Sequence, residues 1–361
     1  MSTPPRQRGL SLVELMIGML IGLFLIGGMV QLLGANRQVY RYQEALSRIQ
    51  EHARFALETL GYEIRMAGYT GCPIRNEIAN VINGAGTTWW LDFNTGSVRG
   101  YDGSQHFPGR AIGTNTGDRV AGTDAATFIH GGGDSYTVAT HNPTAAEFKL
   151  NTTHDLDDGS IVLVCDATQT SILQLTNVNS SNVTIVHNTG TATPGNCTKG
   201  LGSPVECTAN GTPYTFGPDS SMVDFVPTAF YIGVSTSGTG RSLYRIRSQV
   251  SAATTSVAVE ELIEGVEDMQ IFYGIDADGD RVVDPDYVDA SAITDWEQVL
   301  SVRLELLFVS LEDQLNIEPQ WIAFPSADTG RANLIGDGFT AADRRLYQAF
   351  GTTLGLRNRL P

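Results

Sequence analysis

Basic side chains are in short supply. Lysine and arginine number 23 against 39 aspartates and glutamates, and the formal net charge is −16. Phosphate contacts need cations, so direct nucleic-acid binding through a broad basic face is not expected. Signatures of catalysis are missing too. The six histidines stand at 52, 106, 130, 141, 154 and 187, with neither HxxxH nor HExxH among them. No GxSxG elbow, Walker-type loop or dinucleotide-binding fingerprint occurs. No catalytic constellation can be nominated, and the chain is expected not to be an enzyme. The four cysteines include no CxxC pair, which disfavours a structural zinc site. Two further absences are local: residues 10–72 hold no proline, and residues 15–36 hold no charge.

An uncharged helix of that length spans roughly 30 Å, the thickness of a hydrocarbon core. Arg6 and Arg8 precede it. The positive-inside asymmetry keeps this short leader cytoplasmic and sends the rest of the chain outward. Glu14 is the one acid near the start of the run. A carboxylate in hydrocarbon costs about 2.5–3.5 kcal/mol on insertion scales, so it calls for a partner and a role. An ordinary secretory signal peptide would need a small-x-small cleavage site after its apolar run. Gly34 and Ala35 make a poor one, and Glu14 inside the segment argues against it.

The order Arg8, Gly9, Leu10, Ser11, Leu12, Val13, Glu14, followed by the uncharged span, resembles the class III signal sequence of type IV prepilins and pseudopilins. That resemblance implies cleavage after Gly9 by a membrane prepilin peptidase and N-methylation of the new terminus, Leu10. It also implies that Glu14, five residues into the mature chain, is the subunit-assembly glutamate. The family more often has Phe where this chain has Leu10. A carboxylate in lipid would seek the Leu10 amine of a neighbouring subunit and so set axial register. Its net contribution to stability would be small, because buried ion pairs barely offset their desolvation. Snorkelling of Glu14 to the headgroups is the alternative. Cleavage removes Arg6 and Arg8 and takes the side-chain charge to −18 (−16 minus 2).

Beyond the apolar run the helix is expected to continue. Val39, Tyr42, Leu46, Ile49, Ala53, Ala56, Leu60, Ile64 and Ala67 recur at spacings of three and four, an amphipathic stripe. Arg41, Glu44, Arg48, Glu51, Arg54 and Glu58 supply the other face. The helix should end near Gly68, with Gly71 and Pro73 beyond it. Within the apolar half, Gly18, Gly22, Gly27 and Gly28 permit close helix approach.

Composition then shifts to Gly, Thr, Asn, Ser and Asp, with short β-type runs at 135–139, 160–164, 172–176 and 182–186. Residues 83–87 and 131–134 read as loops, and 99–103 as a turn. A second β region holds runs at 228–234, 242–246, 269–273 and 300–309; residues 257–265 read as helix or strand. The fold class expected is α+β: a long N-terminal helix, membrane-spanning in its first half, packed on an antiparallel sheet, with a large β-rich insertion. The divisions expected are a leader at 1–9, the anchoring half-helix at 10–36, the amphipathic half at 37–72, the insertion at 73–226 and a C-terminal β region at 227–361.

Topology places the cysteines outside the cytoplasm, where disulfides persist. Cys72, Cys165, Cys197 and Cys207 allow three connectivities. The short loop favours Cys197 with Cys207, which leaves Cys72 for Cys165. Asp276, Asp278, Asp280 and Asp284 alternate through a glycine-containing turn and could converge on a calcium ion. The stretch departs from an EF-hand loop at Arg281 and Tyr287. A plain acidic β-turn is the other reading, and both stay open.

Ala67 to Tyr69 followed by Cys72, then Tyr273 with the acidic turn, Asp295 with Trp296, Val302 with Arg303, and an ending through Asp343, Tyr347, Leu356, Arg357, Asn358 and Arg359 resemble the PilW group of minor pilins. The likeness covers both ends of the chain and is weak over 76–226. It implies a pilin-like body and a non-catalytic subunit of the inner membrane and periplasm that later enters the extracellular pilus. Such a subunit joins other minor pilins and the major pilin, primes assembly and sits near the tip, in some cases beside a tip adhesin. A minor pseudopilin of a type II secretion system has the same anchor logic, and a surface-binding adhesin module is a third reading. Mass spectrometry of the mature protein should find N-methyl-Leu10 at the terminus only in cells that have the prepilin peptidase. An intact Met1 or a cut near Ala35 would refute this processing.

Overall fold

The computed structural model describes residues 11–72, 77–93, 95–179, 181–190, 192–325 and 338–359. Helix α1 runs Leu12–Met66, 55 residues, or roughly 80 Å at 1.5 Å per residue. Its length follows from the absence of proline and from a capped start. Strands β1 (Glu77–Asn80), β2 (Val98–Tyr101), β3 (Ala125–Asn142), β4 (Glu147–Leu150), β5 (Ile161–Cys165), β6 (Gln169–Gln174), β7 (Asn177–Val178) and β8 (Thr184–Val186) follow. Then come β9 (Ser221–Val234), β10 (Arg241–Ser251), β11 (Thr254–Glu264), β12 (Val266–Ile275), β13 (Val299–Val309), β14 (Trp321–Ala323), β15 (Gly338–Thr340) and β16 (Tyr347–Gly355). This is the expected α+β arrangement.

A small antiparallel sheet, β12-β13-β16, meets the helix. The alternation along β13 explains the contact. Val302, Leu304, Leu306 and Phe308 join one core with Ile49, Ala53, Ala56, Leu60, Ile64 and Ala67 of α1. On the opposite face, Leu307 and Val309 pack with Phe324, Ala341 and Tyr347 beneath β14 and β15. The amphipathic stripe therefore works only from its middle: Val39 remains 55% exposed and Ile49 is 3% exposed. Val39 and Tyr42 lie on the expected stripe but reach no core.

The larger sheet is organised on β9. One edge of β9 pairs with β3 along its length; the other pairs with β5 over 221–224 and with β10 over 228–234. Pro227, which has no N–H to give a ladder, falls in the gap between β5 and β10. The expected boundary at 226/227 thus cuts through a strand. Residues 73–226 are not a self-contained insertion, because β9, β10 and β11 share their sheet. Residues 131–134 are not a loop either. They lie inside β3 as an irregularity between Gly132 and Ser135, with Gly133 at φ +67°. Arg99 to Tyr101 belong to β2 rather than to a turn, and 257–264 are strand.

The helix ends at Met66, close to the expected end near Gly68 and short of the division drawn at 72. Gly68 turns the chain at φ +79°, a conformation that a side chain would strain. Asn358 Nδ2 donates to the carbonyls of Met66 at 3.1 Å and Ala67 at 3.2 Å. Arg359 donates to Val299 O at 3.2 Å and Ser97 Oγ at 3.1 Å, and also to Trp296 O. The C-terminal segment thus caps the helix from almost 300 residues away.

Away from the helix, a second core gathers Val138, Phe148, Leu150, Ile185 and Phe216. His141 stacks on Phe148 with centroids 4.0 Å apart, and its Nε2 lies 3.2 Å from Nε2 of His187. Burial holds His141 near a pKa of about 4 and His187 near about 3. Each binds fewer protons folded than unfolded, so stability is lost as pH falls from about 6.5 toward those values. Asp224 and Asp268, raised by burial to about 6, act in the opposite sense below that pH.

Two outcomes follow for the full chain in detergent. Leu60→Ala should destabilise it by about 2–5 kcal/mol in urea, by the cavity it leaves, whereas Val39→Ala should shift it by less than about 0.5 kcal/mol; equal effects would mean that the seam starts higher. His187→Gln should flatten the fall of melting temperature between about pH 6.5 and 4, and an unchanged slope would remove this pair as the source.

Candidate functional site

The N-terminal segment is where chemistry and geometry converge. Gly9 and Leu10 lie outside the described residues. Ser11 is the N-cap of α1: its Oγ accepts from Glu14 N at 3.2 Å, while Glu14 Oε2 accepts from Ser11 N at 3.0 Å. This reciprocal capping box satisfies two N–H groups that a helix start leaves without partners. In the single chain Glu14 therefore folds back on its own terminus, and it remains exposed.

From Leu12 onward the helix meets no other part of the protein for about half its length. The most apolar 18-residue stretch has none of its residues buried within the protein. Leu12 and Phe24 are 74% and 75% exposed. A Cβ added at Gly18, Gly22, Gly27 or Gly28 would touch nothing within 4 Å. A helix that is apolar all round needs lipid or other helices about it, and this one is long and apolar enough to cross a membrane.

A loop at 310–316 grips the helix where it leaves the body. Gln38 Nε2 donates to Gln314 O at 2.9 Å and Leu315 O at 3.1 Å. Arg41 Nε donates to Glu312 Oε2 at 3.0 Å. Exposed pairs such as this contribute little energy, but they bracket the exit of the protruding half.

At the far end of α1 the disulfide Cys72–Cys165 ties the post-helix turn to β5. A second disulfide, Cys197–Cys207, closes a short loop. The pairing is the one favoured from the loop length. Loop closure of this kind typically stabilises by about 2–4 kcal/mol.

The acidic turn brings Asp276, Asp278 and Asp280 within 4.8 Å of one another. Asp284 is not part of that group; its Oδ2 accepts from Ala277 N at 3.1 Å. Much of the carboxylate capacity is spent on the turn itself. Asp276 accepts from Gly279, Asp280 and Arg281 N–H groups, and Asp280 from Val282 N.

One pair escaped the sequence reading. Glu63 of α1 and His130 of β3 are buried and meet at 2.9 Å, Oε2 to Nε2. His130 Nδ1 lies 2.8 Å from Gly131 O, so that nitrogen carries a proton and donates. The link fixes the rotation of α1 against β3. A signal was present, because Glu63 stands three residues after Leu60 on the apolar stripe, where an acid needs a buried partner. His130, 67 positions away, had none.

The comparisons with known proteins bear on both ends. Residues 229–358 match the model of the PilW family, Type IV Pilus-assembly protein W. Residues 4–30 match the prokaryotic N-terminal methylation motif. Among curated proteins none matches this sequence. Among solved structures, a type IV-like pilin from Thermus thermophilus is similar at 13% identity and a TM-score of 0.22, over 57% of this chain and 86% of that one. The methylation motif sits on the bare start of α1, and the PilW match takes in β12, β13, β16 and the Asn358 cap. The chain therefore carries a PilW domain over residues 229–358 and an N-terminal methylation motif over residues 4–30, and the first half of its N-terminal helix is long and apolar enough to cross a membrane.

Proposed function

We propose that this chain is a minor pilin that helps to prime pilus assembly and sits near the pilus tip among other minor pilins. The observation that carries the reading is the union, in one chain, of the PilW domain with a methylation motif on an apolar half-helix that its own body leaves bare. A helix bare on every side is suited to bundling with like helices beneath a growing fibre. Prepilin peptidase would release Leu10. The body would stand in the periplasm above the inner membrane and later enter the extracellular pilus. The role is non-catalytic, and the energy for polymerisation would come from a cytoplasmic ATPase. A calcium ion at Asp276, Asp278 and Asp280 is no part of this mechanism.

Glu14 would act by register. In the single chain its carboxylate is held by Ser11. On assembly it would exchange that bond for the Leu10 amine of a neighbour, a charged partner in place of a neutral N–H. Glu14→Ala should still be cut and inserted but enter pili or priming complexes about tenfold less well, measured by immunoblot of sheared fibres. Unchanged incorporation would sink the register role. Pull-down of secretion-channel components instead of other minor pilins would move the chain to a type II secretion pseudopilus.

A further inference from the structure

The small sheet ends on β16, and among the described residues the outer edge of that strand is open. At one end Ser310 N donates to Leu346 O at 2.8 Å; at the other Leu356 N donates to Leu300 O at 2.8 Å. Antiparallel alternation between these points turns the N–H and C=O groups of Ala349, Gly351 and Thr353 away from β13. Tyr347, first in this outward series, has its N–H on Gln320 Oε1 at 2.7 Å. Among the described residues no backbone group meets Ala349, Gly351 or Thr353 on that side.

Beside this edge runs a cleft of about 480 Å³ between β16 and α1, lined in part by Arg54, Leu57, Arg65, Phe350 and Leu354. Leu57, Phe350 and Leu354 pack against the main core but stay only partly buried. Arg54 and Arg65 have no ion pair among the described residues, and Glu58 is the one acid in the lining. A chain of net charge −16 therefore carries a seam of net positive charge here (two arginines against one glutamate).

We infer that the β16 edge is a docking site for an extended strand of a different subunit, which adds to the sheet and roofs the cleft. The inference rests on reading the chain as an assembly subunit. Three outward residues supply main-chain hydrogen bonds, and the cleft supplies side-chain selection, which is the physics of strand addition. The incoming strand carries apolar residues at alternate positions, over Leu57, Phe350 and Leu354, and a carboxylate facing Arg54 and Arg65. Antiparallel pairing of two copies through β16, across a two-fold axis normal to the sheet, would set their α1 helices antiparallel; helices anchored with one orientation in one membrane run parallel. One other edge strand, β11, is poorly suited as the donor from a second copy. Its Glu260 is already paired with Arg245 and Arg247, and Glu261 is engaged by Ser235, Thr236 and Ser242.

The test uses the full-length chain in cells that assemble pili. A photo-crosslinking residue replaces Thr353, with exposed Gln249 as the control position, and adducts are mapped by mass spectrometry. The expected result is an adduct at 353 within an acid-containing strand of another membrane-anchored subunit, reduced by Arg54→Glu. In parallel, Thr353→Pro removes one outward N–H without touching the β13 ladder, and it should cut recovery of that subunit about fivefold to tenfold. Thr353→Val should leave recovery within about twofold. If the proline variant fails to fold by urea denaturation, Arg54→Glu carries the test. Adducts only with a second copy, no enrichment over Gln249, or indifference to Arg54→Glu would each overturn the site. An unprocessed N-terminus would instead refute the assembly reading itself, whereas normal processing with a silent position 353 would refute the docking site alone.

Discussion

One helix has to satisfy two solvents, and the remaining architecture follows from that. α1 is apolar on all sides through its first half and apolar on one side through its second. The first half cannot be buried by a body that already uses its sheets to cover the second. The transition near Leu46 and Ile49 marks where burial by β13 and β16 takes over. The 310–316 loop grips the exit of the helix, and a separate set of contacts fixes its far end.

That far end is over-determined. Asn358 meets the last carbonyls, Arg359 clamps the neighbouring loops, Cys72–Cys165 bonds the turn to β5, and Glu63 meets His130 in the core. These links differ in kind: backbone satisfaction, charge-assisted hydrogen bonds, a covalent tie and a buried polar pair. Together they set the rotation and pitch of α1 on the body. Under the proposed assembly role, such a rigid base would transmit the position of the body to the helix tip. The capping box does the same at the other end, since it holds Glu14 at a defined place.

Local pattern made much of this legible. The start of α1, its uninterrupted length, the buried residues from Ile49 to Ala67, the alternation of β13 and the shorter cysteine loop could all be read from spacing, because short-range periodicity reports which face is apolar. Reading failed where neighbours in space were distant in sequence. The three glycines at 131–133 looked like a loop because glycine usually marks one. Only the pairing of β3 with β9 shows them as a bulge inside a strand. The boundary at 226/227 failed for a similar reason: the composition shift was real, but β9 crosses it to serve β3, β5 and β10 at once.

The amino-acid order alone determined the apolar first half of the helix, the methylation motif with Gly9 and Glu14, and the one-sided second half of the helix. These depend on hydropathy and charge within a few turns, and such interactions need no distant partner. Tertiary structure decided the rest. It brought Glu63 to His130 across 67 positions and Asn358 to Met66 across 292. It left Asp284 out of the acidic cluster and opened the edge of β16 beside Arg54 and Arg65. Loop closure over such separations is directed by the summed burial of the whole core, and no local window of sequence contains that sum.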